Sequence, residues 1–147
     1  MAMEILNYNH AILGGTQPAP LFHGVHHDLE SFIYVLIYAI LNGRARELQA
    51  SGDAPTLKDL NEYLGKTFGR SSFDSISHIR GSWCFNPPSF IPPVFLNCIQ
   101  KLVYLIGMQY VTRLNPAVLQ GLEEQKHLTY DGVLEIFEEA IDGLPVE

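Results

Sequence analysis

A chain of 147 residues, 47% hydrophobic and 17% charged, suits one folded domain and is too apolar for a disordered one. Its formal net charge of -7 excludes a broad phosphate-binding surface, because nucleic-acid affinity rests on dense lysine and arginine. Cys84 and Cys98 are too few for a disulfide framework or a thiolate zinc site, and Met1-Ala2-Met3-Glu4 lacks the basic start and apolar core of a secretory leader, so a cytoplasmic or nuclear protein is expected.

Residues 1–27 carry Gly14, Gly15, Pro18, Pro20 and Gly24, the composition of an irregular arm, with a helical turn expected over residues 2–7. The stretch from Asp28 to Gly43 follows and is the most informative in the chain. Asp28 is placed to cap a helix, a contribution of about 1 kcal/mol, and Asn42-Gly43 supplies a stop. Between them, ten apolar residues run from Phe32 to Leu41, about half of what a bilayer span needs. A helix apolar on every face must be buried on every face. The pattern therefore predicts a central buried helix over about 28–42, with other helices wrapped around it. Arg44 to Ala50 is expected to continue as a short helix, and Ser51-Gly52-Asp53-Ala54-Pro55 to form a loop.

Thr56 is predicted to cap a helix from Leu57 to Phe68, with Leu57, Leu60, Tyr63 and Leu64 on one face and Lys58, Asp59 and Glu62 outside. A short helix is predicted from Ser72 or Asp74 to Ile79. Pro87, Pro88, Pro92 and Pro93 make residues 81–93 a rigid loop, in which Trp83, Phe85 and Phe90 are expected to plug against the core. Pro93 suits the first position of the longest helix, which runs to Leu114. Asn97, Gln100, Lys101, Gln109 and Arg113 give that helix a wet side, so it does not read as a membrane span. Asn115-Pro116 breaks it, and a further short helix reaches Gln125.

Thr129 is predicted to cap the last helix. Val133, Ile136, Phe137, Ala140, Ile141 and Leu144 recur at three- and four-residue steps, while Asp131, Glu135, Glu138, Glu139 and Asp142 face water. This acidic end reads first as a solvated helix face and second as a docking site for a basic partner. No stretch alternates with period two. The fold class is all-α: a helical bundle, with residues 1–27 as an arm and 28–147 as one domain.

Chemistry-bearing patterns are sparse. His23, His26 and His27 precede Asp28, and imidazole and carboxylate ligands suit zinc or iron. The group lies where a loop enters a helix, and His78 and His127 add no ligand-like spacing, so a loop of surface histidines, one packing against the helix start, is expected and no metal. Cys84 has no base at a useful spacing, and Ser31, Ser71 and Ser72 lack a Gly-x-Ser-x-Gly setting. Gly14-Gly15 is not followed by the lysine and hydroxyl of a phosphate loop. No cofactor is expected.

Asp28, Ser31, Phe32, the apolar run to Leu41 and Gly43 resemble the helix that anchors the C-terminal lobe of eukaryotic protein kinases. Three further stretches extend the likeness. Ala2-Met3-Glu4-Ile5-Leu6 resembles the A-P-E segment that closes the kinase activation region, with Met3 in place of proline. His27-Asp28-Leu29-Glu30-Ser31-Phe32 resembles the H-D-L-E-S-F of the fungal-type protein kinase family, and Leu128-Thr129-Tyr130-Asp131 resembles that family's C-terminal end.

The resemblance implies the C-terminal part of a kinase C-lobe, from the A-P-E-like segment onward. It implies that Glu4 pairs with a buried arginine, Arg80 or Arg113. It also implies that Asp28, whose kinase counterpart holds the catalytic loop, keeps only its capping role. The sequence contains no Gly-rich phosphate loop, no H-R-D and no D-F-G. Phosphoryl transfer is positioning plus electrostatics, and those segments supply both. The expectation is a protein-interaction module with no catalysis by this chain alone. Docking is expected through residues 1–27 and Thr56 to Phe68, with Leu57, Leu60, Tyr63 and Leu64 as contact candidates. Apolar surface beside the central helix would favour a protein partner or self-association; no nucleic acid and no membrane are expected. Two alternatives stand beside this: one half of a split or longer fungal-type kinase, and an unrelated helical binding protein.

Overall fold

The computed structural model describes residues 9, 11–15, 24–69, 73–83, 85–114 and 128–144. Among the described residues the chain is all-α, with no strand. Its helices are α1 (Val25–Ser51), α2 (Ala54–Phe68), α3 (Phe73–Ser82), α4 (Pro93–Leu114) and α5 (Tyr130–Asp142). None is long and apolar enough to cross a membrane. The chain divides into two compact units, Met1–Arg80 and Gly81–Glu147. The expected helical turn over residues 2–7 and the expected helix from Pro116 to Gln125 lie outside the described residues.

In the first unit, α1 begins earlier and ends later than its sequence predicts. Its N-cap is Gly24, not Asp28. Gly24 has no side chain to cap with, so the exchange runs backward: the Gly24 N–H donates to His27 Nδ1 at 3.0 Å. Asp28 sits one turn inside, exposed, where its negative charge favours the helix dipole. Gly43 does not stop the helix. A glycine ends a helix by turning left-handed, and Gly43 stays helical; Arg44 and Glu47 then pair across one turn, and Leu48 is buried beyond them. Gly52 makes the stop, with φ of 78°. The Gly52 N–H donates to Gln49 O at 3.3 Å and the Asp53 N–H to Leu48 O at 3.1 Å, the paired bonds of a Schellman motif. Because a side chain in that left-handed conformation costs about 1–2 kcal/mol, Gly52→Ala is expected to destabilise the chain by that amount in urea unfolding. Gly43→Ala is expected to gain up to about 1 kcal/mol.

The same turn starts α2. Asp53, rather than Thr56, is the N-cap: its Oδ1 accepts the Thr56 N–H at 3.2 Å. Only Gly52 and Asp53 separate α1 from α2, and the two helices pack together as an αα-hairpin. Tyr38, well back along α1, meets Phe68 at the end of α2, with ring centroids 5.1 Å apart.

The burial of α1 corrects the sequence expectation most. Leu29, Ile33, Ile37, Leu41 and Leu48 are buried, and they lie on one side of the helix. Phe32 is 50% exposed and Val35 62%. The helix is apolar on all sides but buried on one.

In the second unit, α4 packs on α5. Ile99, Leu102, Val103, Leu105 and Ile106 of α4 are buried, as are Val133 and Ile136 of α5. Thr129 caps α5 as predicted, its Oγ1 accepting the Gly132 N–H at 3.1 Å. Ile141 and Leu144, expected on the buried face, are exposed, so burial covers only the first half of the α5 apolar face. Lys101 and Glu139 pair across α4 and α5, both exposed, a contact of little energetic weight. In the loop before α4, Trp83 is buried as expected, but Phe85 is 84% exposed and plugs nothing. Phe90 is half-buried and carries a positive φ of 69°, rare for a bulky side chain.

Candidate functional site

Among the described residues, the larger concentration of buried polar chemistry lies in the first unit, around Glu30, Thr67 and Arg80. Glu30 sits among the buried residues of α1, 3% exposed. One turn on, the Tyr34 hydroxyl donates to Glu30 Oε1 at 2.8 Å. The pair forms because residues four apart share a helix face. Arg80, near the end of α3, brings its guanidinium over the Tyr34 ring at 4.5 Å and the Phe68 ring at 5.1 Å. Its Nη2 donates to the Thr67 carbonyl at 3.3 Å. That carbonyl belongs to the last turn of α2, where four C=O groups have no intrahelical partner and the dipole is negative. Arg80 thus ties the end of α2 to the face of α1 by a charge-assisted bond and two cation–π contacts.

Burial pushes the Arg80 guanidinium below its ordinary value, and the nearby Tyr34 and Glu30 oppose that shift. The guanidinium stays charged at any physiological pH. Chemically the cluster is a clamp. Its carboxylate already accepts from Tyr34, and its cation is engaged by a carbonyl and two rings.

The histidines form a second group. His27 is buried, 1% exposed, and its Nε2 lies 3.1 Å from His26 Nε2, with ring centroids 4.0 Å apart. An added Cβ on Gly24 would lie 2.8 Å from the His26 ring, which would have to shift to admit it. His27 is the histidine that packs against the start of α1. His23 lies outside the described residues. Among the described residues no three histidine, cysteine, aspartate or glutamate side chains are grouped to hold a metal. Cys98 is buried in α4; burial raises its thiol above the ordinary value, with Lys101 opposing, so it is a poor nucleophile. Cys84 lies outside the described residues.

The other residues singled out by sequence fall as follows. Ser31 is half-buried and Phe32 half-exposed on α1. Leu60 is fully buried, so it belongs to the core and offers nothing to a partner; Leu57, Tyr63 and Leu64 flank it, part exposed. Glu4 and the Arg113 side chain lie outside the described residues. Glu30 and Tyr34 escaped the sequence reading, although a glutamate four residues before a tyrosine on an otherwise apolar helix marks a buried pair. No protein-family model, curated protein or solved structure matches the chain.

Proposed function

We propose that this chain is a non-catalytic protein-interaction module, related to the C-terminal part of a kinase C-lobe of the fungal-type protein kinase family. The observation that carries the reading is the contrast between the two faces of α1. Its buried face holds Glu30 and Tyr34 in a structural clamp, while its opposite face presents Phe32 and Val35 to solvent. Exposed apolar surface of this kind on a folded chain marks a contact surface. The His27 to Phe32 stretch supports the kinase relation; it lies at the start of α1, whose 27 residues exceed the 22 of α4, the helix expected to be longest. The sequence contains neither H-R-D nor D-F-G, which supports the absence of phosphoryl transfer by this chain.

Calorimetric titration with ATP and magnesium tests the non-catalytic part. No binding is expected up to about millimolar nucleotide; a dissociation constant in the micromolar range, roughly -8 kcal/mol, would overturn the reading. That result would favour a kinase half whose missing segments come from elsewhere.

A further inference from the structure

The exposed face of α1 has a charge pattern of its own. Asp28, Phe32, Val35, Ala39, Gly43 and Arg46 recur at steps of three and four, and all are exposed. They form one stripe, opposite the buried stripe of Leu29, Ile33, Ile37 and Leu41. Asp28 and Arg46 lie five turns apart, about 27 Å, on the centre line of the stripe. Between them the stripe is apolar. Its one acid stands at the N-terminal end and its one base at the C-terminal end.

Such a stripe is complementary to itself when reversed. If two copies of α1 lie antiparallel about a two-fold axis at the level of Ile37, each Asp28 falls opposite the other copy's Arg46. Val35 then falls opposite Ala39, and Phe32 falls on the Asn42-Gly43 step. A parallel pair would instead set Asp28 against Asp28 and Arg46 against Arg46. Gly43 fits this arrangement. It is exposed, and a Cβ there would meet nothing within 4 Å. A glycine inside a helix with open space around it leaves room for something that approaches closely. The large-against-small match with Phe32 supplies the object.

We infer that the α1 outer face is a self-pairing surface, and that its occupant is a second copy of this chain held in an antiparallel two-fold dimer. The contact is isologous, so each favourable pair occurs twice. This inference rests on the reading of the chain as an interaction module and names the partner.

The test is a charge swap on the full chain, followed by sedimentation velocity from about 1 to 200 μM, a range that brackets micromolar affinity. The wild-type chain is expected to dimerise with rising concentration. Asp28→Arg and Arg46→Asp each place like charges at both ends of the interface, and each should raise the dissociation constant at least about tenfold. The double variant restores opposite charges and should return the constant to near the wild-type value. In a parallel pair like charges already face each other in the wild type, so neither the single reversals nor the double variant would change the constant. Both positions are exposed, and circular dichroism checks that each variant keeps its helix content. At Gly43 an added Cβ meets nothing within 4 Å in the single chain, so Gly43→Leu should weaken dimerisation with no loss of helix content.

A wild-type chain that stays monomeric throughout, single reversals without effect, or a double variant that fails to recover each overturns the proposal. A monomer that also ignores magnesium-ATP removes the second copy as occupant and leaves the module reading standing. Tight magnesium-ATP binding removes the module reading whatever the charge swap shows.

Discussion

Replacing Arg80 with alanine is expected to lower the unfolding free energy by about 3–5 kcal/mol, the range for breaking a buried charged cluster by removing one partner. The magnitude follows from what is left behind. The Thr67 carbonyl at the end of α2 loses its donor, and the Tyr34 and Phe68 rings lose the cation between them. Glu30, 3% exposed, loses a neighbouring positive charge and keeps hydrogen-bonded company such as the Tyr34 hydroxyl. Arg80→Lys should recover only part of the loss, because an ammonium can neither stack flat on two rings nor keep the planar fork. Urea unfolding of wild type, Arg80→Ala and Arg80→Lys measures both effects. A further variant, Glu30→Gln, placed alone and on Arg80→Ala, isolates the coupling between the two charges. Equal stability of Arg80→Ala and wild type would mean that the clamp contributes nothing.

The second large effect is an asymmetry across α1. Ile37→Ala is expected to cost about 2–5 kcal/mol, the range for emptying a fully buried position, since Ile37 has 0% exposure. Val35→Ala, only two residues away, is expected to change the stability of the single chain by no more than about 0.5 kcal/mol, since Val35 is 62% exposed. The measurement is made at low micromolar concentration, where association adds little. Comparable costs at both positions would restore the picture of a helix buried on every side. The expected split gives the two faces different roles, with Ile37 holding the fold and Val35 open to a contact.

Where local chemistry alone decides an outcome, the sequence was a good guide. Pro93 opens α4 because its fixed backbone and missing N–H suit a first helical position. Thr129 caps α5 with a hydroxyl three residues from its acceptor-seeking N–H. The α2 helix ends at Phe68 as predicted. The errors came where two local signals competed. Asp28 and Gly24 both suit a helix start, and Gly24 prevailed because His27 returns a bond to its N–H. Gly43 and Gly52 both suit a stop, and Gly52 prevailed because only it closes the Schellman pair with Gln49 and Leu48. Thr56 yielded to Asp53 in the same way, since Asp53 stands at the end of that turn and its carboxylate reaches the Thr56 N–H.

The candidate site was legible only in fragments. Arg80 was one of two candidates, with Arg113, for a buried arginine beside Glu4; its described company is Tyr34, Phe68, the Thr67 carbonyl and the charge of Glu30. These residues lie on three helices, and no spacing rule links Tyr34 to Arg80.

By itself the sequence determined the all-α class and several helix ends, among them the start of α4 at Pro93, the Thr129 cap of α5 and the end of α2 at Phe68, because each depends on residues within a turn of one another. Only the tertiary structure decided which side of an all-apolar helix is covered. Hydrophobicity measures the tendency to leave water and carries no direction, so Phe32 and Ile37 look alike until α1 is placed. The placement buries Leu29, Ile33, Ile37 and Leu41, sets Arg80 against the same helix, and leaves the Asp28 to Arg46 stripe outside.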